Sequence, residues 1–476
     1  MPRLSRRSFL AASAALAAAR PASGAVTRAS SEVDVVIIGA GAAGIAAARR
    51  LAAAGRKFVV LEAADHIGGR CITETRTFGV PYDRGAHWIY APDLNPLSKL
   101  TPRRGLEVYP APASQKVKIG RRYAREGELE DFLALQVRAN RAITDAARKA
   151  DVACAQAMPN DLGDWRPLID FVLGPFTSGK ELTQMSAVDF AKAAERNTAA
   201  FCRQGFGTLI ASFAEEIAVK LSTPATLIDT RGTVTVETGK GAIATRAVIV
   251  TVSTNVINSG AIKFAPELPK RQLDAFAKLA LGSCDHIAHE LTGNPLGFES
   301  DDLVFEKSGD THTAAILANV SGTPLCVIEV AGAFGRELAS HGEAAMVDFA
   351  ADWLTGLYGA DVKKAIKRSH ATRWNSEPWV LGAASVAAPG WQGARRTLME
   401  PVQNTIWFAG EAVHETLWGT VGGAWESGTR AADAVIRHFG PVKEAPAAPT
   451  AADIPKRKPA YRRIQSTPTI MREEPL

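Results

Sequence analysis

Cysteine is scarce in this chain of 476 residues: five, at positions 71, 154, 202, 284 and 326. Their number is odd and no pair has CxxC spacing, so neither a disulfide framework nor a zinc site is implied. A stable membrane span is not expected either. The alanine-rich stretch that ends at Ala19 is too short and too weakly apolar to cross a bilayer. Basic charge is also missing from the body of the chain. The net charge is +6, but residues 1–31 contribute +5 and residues 440–476 contribute +3, leaving −2 between them. No basic footprint for nucleic acid remains, and a weakly acidic body tolerates a cationic substrate. There is no internal repeat. A hydrophobic content of 46% and a charged content of 22% are those of a globular protein, long enough for two domains or one large discontinuous unit.

What is present begins with Val35-Val36-Ile37-Ile38-Gly39-Ala40-Gly41-Ala42-Ala43-Gly44. Residues 33–38 form an apolar, β-branched run suited to a strand buried on both faces of a parallel sheet. Gly39 allows a tight turn, Gly41 lets a pyrophosphate approach the backbone, and Gly44 lets the next helix pack closely. That helix, read from Ile45 to Ala54, offers N–H groups and a partial positive charge at its N-terminus. A second strand, Phe58 to Leu61, delivers Glu62 to the ribose hydroxyls. Its carboxylate would repel a 2′-phosphate, so FAD or NAD fits and NADP does not. Downstream, Gly68-Gly69-Arg70 adds a guanidinium able to pair with phosphate oxygens.

These segments carry a resemblance. The run from Gly39 through Leu61-Glu62-Ala63 to Gly68-Gly69-Arg70 resembles the flavin-containing amine oxidases, which include monoamine and polyamine oxidases. Asp83-Arg84-Gly85-Ala86-His87-Trp88-Ile89, with Asn95-Pro96, looks most like the polyamine oxidase branch. The segment Thr420 to Gly428 points the same way and is also similar to the histone-demethylase relatives. The resemblance implies an α/β fold: a Rossmann-like FAD-binding domain of the glutathione-reductase type with a discontinuous α+β substrate-binding domain. The FAD-binding part is expected over residues 32–95, 200–275 and 395–440, and the substrate-binding part over 96–199 and 276–394.

The resemblance also assigns residues. The strand Ile406-Trp407-Phe408 would deliver Gly410 and Glu411 to the flavin's ribityl chain. Gly419 to Gly423 reads as a turn, with Thr420 and Val421 at the cofactor and a helix starting near Ala424. That helix's N-terminus would stabilise negative charge on the reduced ring. Ala86, His87, Trp88 and Trp374 are placed beside the cofactor, His87 at the site mouth, and Ala225 holds the adenine through its backbone. The implied reaction is hydride transfer from the carbon next to a neutral amine nitrogen to non-covalent FAD. Dioxygen then accepts the electrons as hydrogen peroxide.

The chain departs from the family in three places. Where the family has a lysine linked to the flavin through water, it reads Leu281-Gly282-Ser283-Cys284-Asp285-His286. His286 either holds the same water, or acts as a base, or is an ordinary core or surface histidine on a strand. Gly382-Ala383-Ala384-Ser385 lacks both the family's tyrosine and a cysteine for covalent flavin. Thr420 replaces a second cage tyrosine, so either Trp374, Trp379 or Trp418 walls the substrate site or the substrate is bulkier, and Trp379 and Trp418 read equally well as core aromatics. Tyr90 stands where the polyamine branch often has a second histidine. Two other readings stay open: a desaturase or protoporphyrinogen-type oxidase acting on a non-amine, and a flavoprotein that only binds.

The ends complete the reading. Ser5-Arg6-Arg7-Ser8-Phe9-Leu10 reads as a twin-arginine export signal within residues 1–31, although Ala11 stands where a lysine is common. The alternative is a merely basic, disordered N-terminus. The signal implies the twin-arginine translocase as a partner and a periplasmic or secreted location. Residues 441–476, rich in proline, alanine and basic side chains, are expected to be disordered.

Overall fold

The structure, a computed structural model, describes residues 33–441 apart from 113, 114, 195 and 197. The export signal expected in residues 1–31 and the disorder expected in the tail from 442 onward lie outside the described residues. Along the chain the elements that position the site are β1 (Val35–Ile38), α1 (Ala42–Ala53), β2 (Phe58–Leu61), β3 (Val219–Lys220), β4 (Ala247–Val250), β5 (Cys284–Leu291), β6 (Leu325–Ala331), β7 (Ile406–Phe408) and α2 (Val421–Phe439).

Five of the strands form one parallel sheet in the order β3-β2-β1-β4-β7. Val35 lies opposite both Phe58 and Ala247. Every residue of β1 is buried, as a central strand covered on both faces requires. The two long helices on this sheet meet backbone to backbone. A side chain at Gly428 in α2 would place its Cβ 2.0 Å from the carbonyl oxygen of Ala43 in α1.

The structure corrects several boundaries. Helix α1 starts at Ala42 rather than Ile45, because extended Gly41 already serves as its N-cap. Gly44 therefore lies within the helix, where its missing Cβ lets α1 pack on β1: a Cβ there would fall 1.9 Å from the Gly39 carbonyl oxygen. The helix opened by Gly205 runs only from Phe206 to Ser212. Beyond it, Val219 and Lys220 pair with Val60 and Leu61 at the sheet edge. Helix α2 starts at Val421, three residues before Ala424, since Thr420 caps it by accepting the Gly423 N–H. In the helix Glu126–Ala147, Phe132, Ala139 and Ile143 are buried, whereas Leu133 and Val137 face solvent.

A second sheet of seven strands contains β5 and β6, antiparallel neighbours. Its two faces separate by the alternation of strand side chains. Ile287, Ile328 and Val330 pack against Met346, Ala350 and Leu354 of the helix Glu343–Tyr358. Cys284, His286 and Glu329 occupy the opposite face and line a cavity between the two sheets.

Candidate active site

The cavity has a volume of about 310 Å³. At one end its wall is Gly39, Gly41, Ala42 and Ala43, with Glu62, Gly68, Gly69 and Arg70. Gly39 has a φ of +103°, open to glycine and strained for other residues. No side chain caps the first turn of α1, so its leading N–H groups are available to an anion. A Cβ on Gly41 would meet nothing nearer than the Gly68 carbonyl oxygen at 3.8 Å. It would project into open space where a phosphate group could otherwise lie against the backbone.

Glu62 is buried in this wall. Its carboxylate accepts the Ala40 N–H at 2.7 Å and the Ala64 N–H at 2.9 Å. Each oxygen keeps a further lone pair for a ribose hydroxyl. Ala225, buried at the start of its strand, lines the same cavity. These residues fit an adenine dinucleotide.

The two remote glycine-rich stretches meet directly. Arg70 Nη1 donates to Glu411 Oε1 at 2.9 Å and also to the Ala383 carbonyl. Glu411 is buried and takes further hydrogen bonds from the Ser385 hydroxyl at 2.6 Å and the Gly419 N–H at 3.0 Å. Burial works to raise its pKa, but Arg70, the Ser385 hydroxyl and Arg395 outweigh it and hold the group below the usual carboxylate value. Glu411 is thus an anion that ties Arg70 in place. Gly410, Glu411, Thr420 and Val421 all line the cavity, although Thr420 and Val421 sit at the helix cap and first turn rather than in a turn before it.

At the other end stand Ala86, His87, Trp88, Tyr90, Cys284, His286, Glu329, Trp374 and Trp379. Trp88 and Tyr90 stack with ring centroids 6.0 Å apart and 8° between planes. Trp374 is buried and donates from Nε1 to the Arg84 carbonyl at 3.1 Å, whereas Trp379 is 38% exposed at the cavity rim. Trp418 is not a cage wall. It is fully buried, donates to the Asp189 carbonyl and lies beneath the guanidinium groups of Arg196 and Arg395. Ala383, Ala384 and Thr420 line the cavity with small side chains and no aromatic ring. Among the described residues no lysine lines it; Lys180, nearby in sequence to the lining segment Phe176–Gly179, turns towards the Val386 carbonyl.

Two histidines are oriented by one residue. Asp83 Oδ2 lies 2.7 Å from His87 Nδ1, and the Asp83 carbonyl lies 3.2 Å from His286 Nδ1. Both contacts suit an Nδ1–H donor and leave Nε2 as the other edge of each ring. His87 is 7% exposed, so it lies in the wall and not at the mouth. Its Nε2 is buried without a hydrogen-bond partner. His286 Nε2 is 3.9 Å from Glu329 Oε1, and Glu329 also accepts from Trp88 Nε1 at 3.4 Å.

Glu329, Asp83 and Cys284 were not among the residues that sequence reasoning placed at the site. The signal for Glu329 was a lone acid in the apolar run Leu325-Cys326-Val327-Ile328-Glu329-Val330-Ala331. Such a residue must find a polar partner when its strand is buried.

The family profile described as flavin containing amine oxidoreductase matches residues 42–436. The chain belongs to this family. FAD is its cofactor, and it is an oxidoreductase acting on amines. Among its relatives is a probable polyamine oxidase 4 of Arabidopsis thaliana, 26% identical over 444 residues, covering 85% of this chain and 87% of the relative. The lysine-specific histone demethylase 2 of Homo sapiens is also 26% identical, covering 84% of this chain and 53% of the relative. Two solved structures share the fold. A putrescine oxidase bound to putrescine has a TM-score of 0.73 at 20% identity, covering 86% of this chain and 99% of that one. Cyclohexylamine oxidase from Brevibacterium oxydans has a TM-score of 0.71 at 21% identity, covering 86% and 100%. The fold is therefore that of an FAD-binding domain joined to a substrate-binding domain.

Proposed function

We propose that the protein oxidises an amine at the carbon next to nitrogen, with His286 as proton acceptor and Glu329 as the carboxylate that draws the cation in. The observation that carries this reading is the free Nε2 edge of His286 beside Glu329, on the wall of the cavity shared with both glycine-rich motifs. The chemistry supplied by bound FAD is acceptance of a hydride from that carbon, with the electrons later returned to dioxygen as hydrogen peroxide.

The protein's own residues do the rest. Amines are cations in neutral water, and a buried carboxylate in a low-dielectric cavity attracts them. The nitrogen must lose a proton before its lone pair can weaken the neighbouring C–H bond. His286 Nε2 takes that proton while its Nδ1–H stays on the Asp83 carbonyl, which fixes the ring. The faces of Trp88, Tyr90 and Trp374 exclude water and align the substrate. Water then hydrolyses the imine product to a carbonyl compound and ammonia or a smaller amine, according to whether the nitrogen carried one carbon or more.

Gly39, Ala40, Gly41, Gly44, Glu62, Arg70, Ala225, Gly410 and Glu411 are the residues assigned to FAD. No cysteine occurs between Gly382 and Ser385, which supports non-covalent attachment: acid precipitation should leave the yellow colour in the supernatant. Export through the twin-arginine system is proposed from Arg6 and Arg7. A fusion of the first 31 residues to a folded reporter should reach the periplasm, and Arg6→Lys/Arg7→Lys should retain it in the cytosol.

The deciding experiment is anaerobic mixing of the purified yellow protein with primary, secondary and polyamine substrates. Bleaching by an amine, followed by hydrogen peroxide on admitting air, is expected. Absence of bleaching by every amine would sink the assignment of His286 and Glu329.

A further inference from the structure

We propose that Cys284, His286 and Glu329 form a divalent-cation site of the zinc class on the cavity wall, and that filling it blocks amine oxidation. Cys284 and His286 are two residues apart on β5 and so project from the same face. Glu329 is the direct cross-strand partner of His286 on β6. The register therefore brings a thiol, an imidazole and a carboxylate together without a local sequence motif. One ligand atom from each lies within 4.8 Å of the other two.

Zinc with ligands at about 2.0–2.3 Å needs ligand atoms roughly 3.3–3.7 Å apart at the corners of a tetrahedron. The imidazole and carboxylate are already 3.9 Å apart. All three pairs lie within 4.8 Å, so about 1 Å of closure completes the triangle.

The surroundings are those of a built metal site. A metal-binding imidazole characteristically donates its other N–H to a carbonyl or carboxylate, which fixes the ring. Here His286 Nδ1 faces the Asp83 carbonyl at 3.2 Å. Glu329 is itself held by Trp88 Nε1. Three protein ligands leave a fourth position facing the cavity, the pattern of zinc sites that keep an exchangeable ligand. Mixed sulfur, nitrogen and oxygen donors favour zinc over magnesium or calcium, which prefer oxygen alone.

Binding forms a metal–sulfur bond, and the thiol proton leaves to solvent. The ion also occupies Nε2 of His286, the lone pair assigned above to the substrate proton. Cation binding itself does not depend on the amine reading; only the blocking effect does.

The test uses FAD-loaded protein without amine. Calorimetric titration with Zn²⁺ is expected to show one site. Co²⁺ in its place should give d–d bands beyond the flavin absorption, with intensities typical of four-coordination. Cys284→Ser and Glu329→Gln should each weaken Zn²⁺ binding at least tenfold, with the flavin spectrum retained as the check on folding. Equal Zn²⁺ affinity in wild type and both variants, or no binding at all, would overturn the site. A separate arm measures flavin reduction by whichever amine is active. Slowing by Zn²⁺ that is relieved by excess amine supports the blocking role, and undiminished reduction at full occupancy overturns that role alone. If no amine reduces the flavin, the calorimetric and Co²⁺ results still decide the site.

Discussion

Replacing Arg395 by methionine should destabilise the protein more than any exposed arginine substitution, because this guanidinium is 1% exposed and multiply bonded. It holds Asp189 in a two-pronged pair, at 2.7 Å from Nε and 2.8 Å from Nη2. It also donates to the Ser385 hydroxyl, the Ser385 carbonyl and the Ala412 carbonyl. Methionine fills much of the volume but leaves the buried Asp189 carboxylate with only the Ala387 N–H as a strong donor. Breaking such a pair from one side costs about 3–5 kcal/mol, mostly the penalty of an uncompensated buried charge. The effect should reach the cofactor, since the same Ser385 hydroxyl donates to Glu411. Urea unfolding of the FAD-loaded protein, followed by tryptophan and flavin fluorescence, measures both. Arg395→Met/Asp189→Leu should recover most of the loss, because removing both charges removes the desolvation debt. A single-variant cost below about 1 kcal/mol would refute the assignment of this pair as a buried lock.

Other outcomes follow from the same structure. His286→Ala should slow flavin reduction by amine about a hundredfold or more while FAD stays bound; stopped-flow rates equal to wild type would remove His286 from the chemistry. Glu62→Ala should weaken FAD retention on dialysis, and full occupancy afterwards would contradict its ribose role. Gly44→Ala drives a methyl into the Gly39 carbonyl and should cost about 1–3 kcal/mol or more, read as a lower Tm and lower flavin content. Burial holds the Asp285 carboxyl at about 7, above its ordinary value, against hydrogen bonds from the Trp374 N–H and the Thr372 hydroxyl. Folding then favours the neutral acid, so its contribution is complete below about pH 4 and is lost as pH rises through about 7. That is roughly 4 kcal/mol across the window, and Asp285→Asn should flatten this part of the stability profile.

The sheet that carries the cofactor motifs was legible because its code is local. Val35–Ile38 and Phe58–Leu61 are short apolar runs with glycine punctuation, and Ile406–Phe408 is another. What the sequence did not reveal depends on pairing between distant strands. Glu329 becomes a site residue only because β5 and β6 are in a register that sets it against His286. Asp83 is a site residue because its carbonyl and carboxylate reach two histidines at once. Trp418 read equally well as cage or core, and only the packing of Arg196 and Arg395 on its ring decides for core. Helix starts were misplaced where glycine lies inside the helix, at Gly44 and again at Gly422 and Gly423. There the missing Cβ makes room for a close neighbour: the Gly39 carbonyl at Gly44, the Asn95 side chain at Gly422 and the Leu417 carbonyl at Gly423.

The parallel sheet has a consequence for biosynthesis. β1 cannot acquire its β4 neighbour until some two hundred further residues have been made, and β4 must wait for β7 near the far end of the described chain. A ribosome must therefore have emitted the chain through Phe408 before the nucleotide cradle closes, so flavin capture follows the synthesis of β7.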